Sequence, residues 1–164
     1  MSKEALIAEL KHESTLTRKM LERVPIEKAL WKPHEKSMAL GRLATHVAEI
    51  PHWISDIINS DEYDFAAHPF KPHIAASQDE LVGICDEKTT RAIADLAAAE
   101  EASLNNTWTV RSGEQIFFTM PKKVAIRGWG LSHLYHHRGQ LSVYLRLLDI
   151  PVPGMYGPSA DERM

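Results

Sequence analysis

This sequence contains almost no cysteine, and the scarcity limits both disulfide formation and catalysis by a thiol of the chain itself. Cys85 is the only cysteine among the 164 residues, so the chain cannot close an internal disulfide. Low cysteine use is typical of proteins that remain in a reducing compartment, and we expect a cytoplasmic protein. Apolar neighbours at helical spacing indicate that Cys85 is a buried packing residue. The chain therefore offers no good cysteine nucleophile.

Long apolar runs and any concentration of positive charge are also missing. No stretch reaches the roughly 18 apolar residues of a membrane-spanning helix, and the opening Lys3-Glu4-Ala5 does not fit a signal peptide. The formal net charge is -3, and the lysines and arginines are scattered. Proteins that bind nucleic acid or anionic membranes concentrate positive charge on one face. We therefore expect no nucleic acid and no membrane as partners.

The sequence does contain the composition of one globular domain. Apolar residues make up 44% and charged residues 25%, which is ordinary for a folded protein. The length suits a single domain with a substantial core, predicted to span residues 1–164. The one unusual count is nine histidines. Their placement relative to the apolar faces decides what they can do.

The longest predicted helix runs from about Lys122 to Leu148 and carries two of these histidines. One face of it follows the helical period, at Ile126, Gly130, His133, His137, Leu141, Tyr144 and Leu148. His133 and His137 lie one turn apart on that face, with Cβ atoms about 6 Å apart, so both can reach a single metal ion. Position 134 is leucine, so the HExxH pattern and its glutamate base are absent.

Three further amphipathic segments predict helices. They run over about 2–23, from after residue 37 to about 59, and from a capping box at Ser77 and Glu80 to about 101. Pro51 should kink the second one, because proline removes a backbone hydrogen bond. Four such segments favour an all-α fold, a four-helix bundle.

The remaining segments are predicted as connections. Residues 60–76 indicate a long loop, with Phe65 and Phe70 as its candidate anchors. Residues 105–120 are irregular or extended, with a small hairpin as the alternative. The proline- and glycine-rich residues 149–161 are too apolar for a free tail and should pack back on the bundle.

His46 is the third candidate ligand. It lies among the inward-facing apolar residues of the second helix, three after Leu43 and four before Ile50. Three neutral imidazoles suit Zn, Ni, Fe or Cu better than Mg or Ca, and three protein ligands leave a coordination position open, as in catalytic sites. The alternative is a set of histidines hydrogen-bonded in a polar pocket without metal. A di-iron carboxylate site is excluded, because neither His133 nor His137 has glutamate three residues before it.

Three motifs in order resemble the DinB-like family, also described as DinB/YfiT-like metalloenzymes. They are the helix around His46, the H-x3-H of the last helix followed by Arg138-Gly139-Gln140, and the closing segment 151–161. The resemblance covers essentially the whole chain. It implies a four-helix bundle, a divalent metal held by His46, His133 and His137, and a homodimer, and it implies no DNA chemistry.

The resemblance also implies a reaction class. Family members with assigned activities are mostly low-molecular-weight-thiol-dependent transferases or isomerases, in which the metal binds the thiol. We expect a divalent metal, Zn or Ni with Fe as the alternative, to activate a thiol or water for attack on a small electrophile. Glu49, Arg138 and Gln140 are the candidate catalytic residues, as supports of the ligands or as substrate contacts. Glu49 could alternatively be a further ligand, a general base or a solvated carboxylate.

Two other interpretations stay open. The protein could be a non-catalytic, metal-binding, stress-related dimeric helical protein, or a scaffold with a vestigial site. Structural zinc sites usually have four ligands including cysteines, which argues against the first. His136 should lie at the surface because it points about 100° away from His137. The sequence assigns no role to His12, His52, His68 and His73.

Overall fold

Six helical elements and three short strands make up the computed structural model, which describes residues 2–68 and 71–162. The helices are α1 Lys3–Leu21, α2 Leu40–Glu49, α3 His52–Asn59, α4 Gln78–Ala98, α5 Lys122–Ala125 and α6 His133–Leu147. The strands are β1 Glu62–Asp64, β2 Thr107–Ser112 and β3 Gln115–Pro121. Short 3-10 turns cover Ile26–Lys28 and Glu101–Asn105. The prediction of a helical bundle is confirmed, and a small sheet is added to it.

The two longest helices begin where the sequence places their capping residues. The amide of Ala5 donates to Ser2 Oγ at 3.2 Å at the start of α1. The amide of Glu80 donates to Ser77 Oγ at 3.1 Å at the start of α4. The Glu80 carboxylate accepts from the amide of Ala76 at 2.7 Å. These bonds satisfy backbone donors that the first helical turn leaves unpaired.

Pro51 divides the predicted second helix into α2 and α3. Proline has no amide hydrogen to donate within a helix, so the regular pattern ends at Glu49 and resumes at His52. The kink predicted after His46 is therefore confirmed, and it is strong enough to separate two helices. The kink changes the direction of the chain between His46 on α2 and the residues of α3.

The last predicted helix is helical throughout but not uniformly α. Between α5 and α6 the chain forms a π-helical segment, Ile126–Ser132. A π-helix has one more residue per hydrogen-bonded turn than an α-helix, and such segments are frequent at functional sites. Within it Gly130 packs on α3, where a Cβ atom would lie 2.8 Å from Ile54 Cγ1. The segment therefore brings the last helix close to α3 just before His133.

The small sheet has the strand order β1-β2-β3. Strand β1 is parallel to β2, whereas β2 and β3 form an antiparallel hairpin with an irregular register after Val110. The hairpin confirms the alternative considered for residues 105–120. The loop predicted for 60–76 is wrong at β1, because backbone pairing with β2 orders that stretch. Phe65 packs with the core residues, and Phe70 lies outside the described residues.

Two apolar clusters fill the bundle. The first contains Leu43, Val47 and Leu141, and the second contains Leu6, Ile54 and Trp108. Buried polar side chains on α1 and α6 hydrogen-bond to one another: Glu13, Thr17 and Arg138. Hydrogen-bonded polar groups at such positions fix how the helices align, because unpaired ones are costly to bury.

The C-terminal segment packs on the first cluster, as predicted. Ile150, Val152 and Met155 are partly buried against it. The Tyr156 hydroxyl reaches into the interior and donates to the Glu13 carboxylate at 2.8 Å. In the described part of the chain, no helix has both the length and the apolarity needed to cross a membrane.

Candidate metal centre

His46, His133 and His137 converge between α2 and α6. One ligand atom from each lies within 4.8 Å of the others, a grouping that could hold a metal ion. The nearest nitrogens, His46 Nε2 and His133 Nε2, are 3.2 Å apart. The ring centroids are 5.0 Å apart for His46 and His133, 4.6 Å for His46 and His137, and 4.7 Å for His133 and His137. The fold thus joins the pair from the last helix to a histidine 87 residues earlier in the chain.

The distance between the ligand nitrogens of His46 and His133 fits a tetrahedral zinc ion. Two imidazole nitrogens bound at 2.0–2.1 Å to a tetrahedral centre lie about 3.3 Å apart. The 3.2 Å between His46 Nε2 and His133 Nε2 is close to that value. All three ligands are neutral nitrogen donors, which favour Zn and later transition metals over Mg or Ca. The donor set therefore fits a divalent transition metal.

Hydrogen bonds orient the two ligands on α6. The Nδ1–H of His133 points to the Trp129 carbonyl at 3.3 Å, since a carbonyl only accepts. His137 Nδ1 pairs with Gln140 Oε1 at 2.8 Å. A proton held on Nδ1 leaves Nε2 with its lone pair, and metal-binding histidines are commonly fixed in this way. Both rings therefore present a ligand nitrogen to the space between α2 and α6.

Burial keeps the cluster uncharged. Burial, followed by the neighbouring His137 and His133, lowers the pKa of His46 from 6.5 to about 3. Burial and His137 also lower the pKa of His133 to about 4. The pKa of His137 is lowered as well, chiefly by burial. Neutral imidazole is the form that binds metal, so protons compete weakly for this site near pH 7.

The Arg42–Glu49 ion pair borders the other nitrogen of His46. Arg42 Nη1 donates to Glu49 Oε2 at 3.0 Å, and Arg42 Nη2 lies 3.5 Å from His46 Nδ1. Because a guanidinium only donates, this geometry places the His46 proton on Nε2, where it faces His133 Nε2. That proton occupies the position that a metal ion would take. A metal bound at Nε2 would therefore require the other neutral tautomer, with the proton on Nδ1, and the Arg42 guanidinium would have to move away from Nδ1.

The three proposed catalytic residues have different surroundings. Glu49 borders the histidine site through Arg42, although its carboxylate is not part of the metal-binding group. Gln140 pairs with His137, as a support of the ligand should. Arg138 does not reach the histidines. It is 3% exposed and pairs with Glu13, which is 5% exposed, at 2.6 Å.

The position of Arg138 corrects the sequence interpretation of its motif. One residue after His137, it points about 100° away from that ligand. It donates to Thr17 Oγ1 at 2.9 Å and to the Tyr156 hydroxyl. Arg138 therefore joins α6 to α1 and to the C-terminal segment, and its role in this structure is to hold those three parts together.

Comparison with known proteins agrees with the geometry. The model of the DinB family matches residues 1–163. The chain belongs to the DinB family.

Individual relatives of this DinB-family chain come from Bacillus. It is 25% identical over 154 residues to the uncharacterized protein YrdA of Bacillus subtilis strain 168, covering 92% of this chain and 85% of the relative. A crystal structure of a DinB-like protein from Bacillus cereus ATCC 10987 has a TM-score of 0.72 at 23% identity, covering 95% of this chain and 100% of that one. The DinB-like YjoA of Bacillus subtilis has a TM-score of 0.68 at 19% identity, with 98% and 99% covered. The two structures show the shared fold.

A cavity of about 220 Å³ opens beside His46 and supplies residues that the sequence analysis missed. Trp53 and Tyr63 line it, with ring centroids 4.7 Å apart. Asp56 and Lys88 lie at its far side. Trp53 and Asp56 follow His46 by seven and ten residues, so a helical repeat could have found them. Tyr63 and Lys88 come from other elements, and no local pattern indicates them.

The other histidines lie outside the metal-binding group. The exposed His136 contacts Gln140 Nε2 at 3.1 Å, which agrees with its predicted surface position. His52 Nε2 lies 3.2 Å from Asp56 Oδ2, and the His68 ring stacks on Tyr63. His73 pairs with Glu80 at 2.8 Å. His12 is exposed on α1.

Proposed function

We propose that this DinB-family protein is a metal-dependent enzyme that uses its three-histidine site to activate a low-molecular-weight thiol or water. The observation that carries the proposal is the convergence of three neutral imidazoles next to an accessible cavity. A divalent ion held by three protein ligands keeps at least one position for an exogenous group. When bound, the ion would lower the pKa of that thiol or water and so supply a nucleophile near neutral pH.

The residues of the chain would divide the remaining work. His46, His133 and His137 hold the metal, and Gln140 keeps His137 oriented. The Glu49 carboxylate, held by Arg42 beside both His46 and the cavity, can accept a proton from the thiol or water or contact the attacking group. Trp53 and Tyr63 give an apolar wall that excludes water from the nucleophile. The substrate is a small electrophile.

Zn or Ni is the proposed metal, with Fe as the alternative. The rival function is a non-catalytic, metal-binding, stress-related dimeric helical protein, whose metal only stabilises the bundle. The cavity beside His46 favours the enzyme, because a stabilising ion needs no access for a second molecule. We also propose that the protein forms a homodimer, which sedimentation velocity would test.

The proposed chemistry is tested by loading the protein with Zn, Ni or Fe and mixing it with a thiol and chlorodinitrobenzene. Thiol consumption should exceed that of the metal alone, and the variant His137→Ala should lose the excess. His12→Ala is the matched control, since it removes an exposed histidine outside the metal-binding group. A nitrophenyl ester without thiol tests attack by water. Turnover equal to free metal with both substrates, beside a metal-dependent melting temperature, would favour the non-catalytic protein.

A further inference from the structure

The cavity beside His46 extends along α3 to charged side chains that the chemistry at the histidines does not use. Arg42, His46 and Glu49 line its metal end. His52, Asp56 and Lys88 line its far end. Between them stand the rings of Trp53 and Tyr63. One cavity therefore has a ligand-binding nitrogen at one end, aromatic walls, and two opposite charges at the other end.

The position of Asp56 decides what the far end can do. Asp56 lies on α3, beyond the kink at Pro51 that separates α3 from the helix carrying His46. Its carboxylate is not part of the group formed by His46, His133 and His137. A general base must lie within hydrogen-bond reach of the proton it removes, at about 3 Å. Asp56 is therefore placed to contact a different part of a bound molecule from the atom that reaches the histidines.

The charges at the far end are only weakly satisfied by the protein. The Asp56 side chain is 24% exposed, and its partner His52, at 3.2 Å, is 54% exposed and has room to turn into solvent. Lys88 Nζ pairs at 3.0 Å with Glu87, which is 72% exposed. Surface pairs of this kind contribute little, so a ligand can displace them at small cost. Burial raises the pKa of Asp56, whereas His52, His68 and Lys88 act in the opposite direction.

A ligand end with a single charge would lie beside a like charge, at either Asp56 or Lys88, and a neutral end would also be unfavourable. An ammonium alone suits Asp56 but is repelled by Lys88, and a carboxylate alone is repelled by Asp56. A neutral end removes water from both charges without replacing it. An α-amino-acid end carries an ammonium and a carboxylate on one carbon, so it can satisfy both side chains together.

We propose that the far end of this cavity binds the zwitterionic α-amino-acid end of an elongated small molecule. Asp56 accepts from its ammonium group, Lys88 pairs with its carboxylate, and Trp53 and Tyr63 line the connecting chain. The proposal rests on the proposed function, because the donor atom at the other end of the same molecule reaches the histidine site. It assigns substrate recognition to Asp56 and Lys88 and nucleophile activation to the histidines.

Three synthetic thiols with one backbone test the proposal. γ-Glutamylcysteine carries both charged groups at its far end, glutarylcysteine lacks the ammonium, and γ-aminobutyrylcysteine lacks the far carboxylate. Their affinities for the zinc-loaded protein are measured by isothermal titration calorimetry. γ-Glutamylcysteine should bind at least about ten-fold more tightly than either of the other two thiols, which is the difference expected for one charge-assisted hydrogen bond. Equal affinities would overturn the proposal.

Variants identify which side chain reads which group. Asp56→Asn should weaken the binding of γ-glutamylcysteine and γ-aminobutyrylcysteine but leave the affinity for glutarylcysteine unchanged. Lys88→Met should weaken the binding of γ-glutamylcysteine and glutarylcysteine but leave the affinity for γ-aminobutyrylcysteine unchanged. Lys11→Met is the matched control, because it removes a positive charge from an exposed position on α1, outside the cavity beside His46. A uniform loss across all three thiols in either variant would contradict the assignment.

Two compounds without a thiol test this proposal independently of the proposed function. γ-Glutamylalanine and glutarylalanine cannot place sulfur at the histidines, so they report on the far end alone in metal-free protein. If γ-glutamylalanine binds more tightly, and Asp56→Asn removes the difference, recognition stands even where no metal or thiol chemistry is found. If thiols bind the zinc-loaded protein but neither pair distinguishes the amino-acid end, the proposed recognition fails and the proposed function survives.

Discussion

At the residue scale, the histidines and Arg138 show what a local pattern can and cannot reveal. The spacing of His133 and His137 is local, and His46 interrupts an apolar face, so both signals were visible in the sequence. Arg138 lies in the same motif, but its partner Glu13 is 125 residues away. No sequence pattern connects those two, and the side chain turned out to belong to the bundle interior.

Removing the Gln140 side chain should weaken metal binding without unfolding the protein. Gln140 Oε1 pairs with His137 Nδ1 at 2.8 Å, and loss of such a support typically costs about 10–100-fold in metal affinity. Gln140→Ala should therefore raise the zinc dissociation constant by about ten-fold or more in a chelator competition. Gln115→Ala, at an exposed glutamine in the hairpin, should leave that constant unchanged. Unchanged affinity in Gln140→Ala would show that His137 needs no such support.

The buried pair of Arg138 and Glu13 should matter for stability and not for metal. Arg138→Met leaves the Glu13 carboxylate buried without its partner, which should cost about 3–5 kcal/mol of unfolding free energy. The double variant Arg138→Met with Glu13→Gln should recover much of that loss. Urea unfolding measures both. A fall in metal content in a folded Arg138→Met protein would place Arg138 at the metal site instead.

At the element scale, long periodic helices were predictable and long-range pairing was not. Helices α1 and α4 carry both an apolar face and a capping serine, so their positions followed from the sequence. Strand β1 is three residues long and exists because it pairs with β2, so no local pattern could indicate it. The π-helical segment was also missed, because one extra residue per turn does not disturb the apolar spacing enough to be seen.

Close contact between the π-helical segment and α3 predicts opposite effects for two glycines. A Cβ at Gly130 would lie 2.8 Å from Ile54 Cγ1, whereas one at Gly128 would meet nothing within 4 Å. Gly130→Ala should therefore cost about 1–3 kcal/mol of unfolding free energy. Gly128→Ala should be neutral or stabilising, because alanine favours helix.

Urea unfolding of both glycine variants checks this prediction. Metal affinity should also fall in Gly130→Ala, because His133 follows three residues later and would move with the segment. Equal stability of the two variants would mean that the segment does not pack tightly on α3.

At the scale of the whole molecule, the bundle holds three histidines uncharged between its helices. Their cluster joins α2 to α6, while Arg138 and Tyr156 join α6 to α1 and the C-terminal segment. The family and the helical architecture followed from motifs spread along the sequence. The cavity could not be predicted from the sequence, because Trp53, Tyr63 and Lys88 meet only in the folded chain.

Acid should destabilise the metal-free protein through these histidines. Folding lowers the pKa of His46 to about 3 and of His133 to about 4, both below the ordinary 6.5. As the pH falls below about 6.5, the unfolded chain therefore binds protons first, and stability is lost progressively toward the folded-state pKa values. Unfolding free energies measured in chelator from about pH 7.5 to pH 5 should decrease. The double variant His46→Gln with His133→Gln should show a flatter slope, and an equally steep slope would assign the acid sensitivity to other groups.

The metal content of the protein tests the central claim most directly. The untagged protein, loaded with Zn, Ni or Fe and freed of excess ion, is measured by elemental analysis beside His137→Ala and His12→Ala. The account predicts about one metal ion per chain in the parent and in His12→Ala, and far less in His137→Ala. Equal metal in all three proteins, or none in any of them after loading, would contradict it.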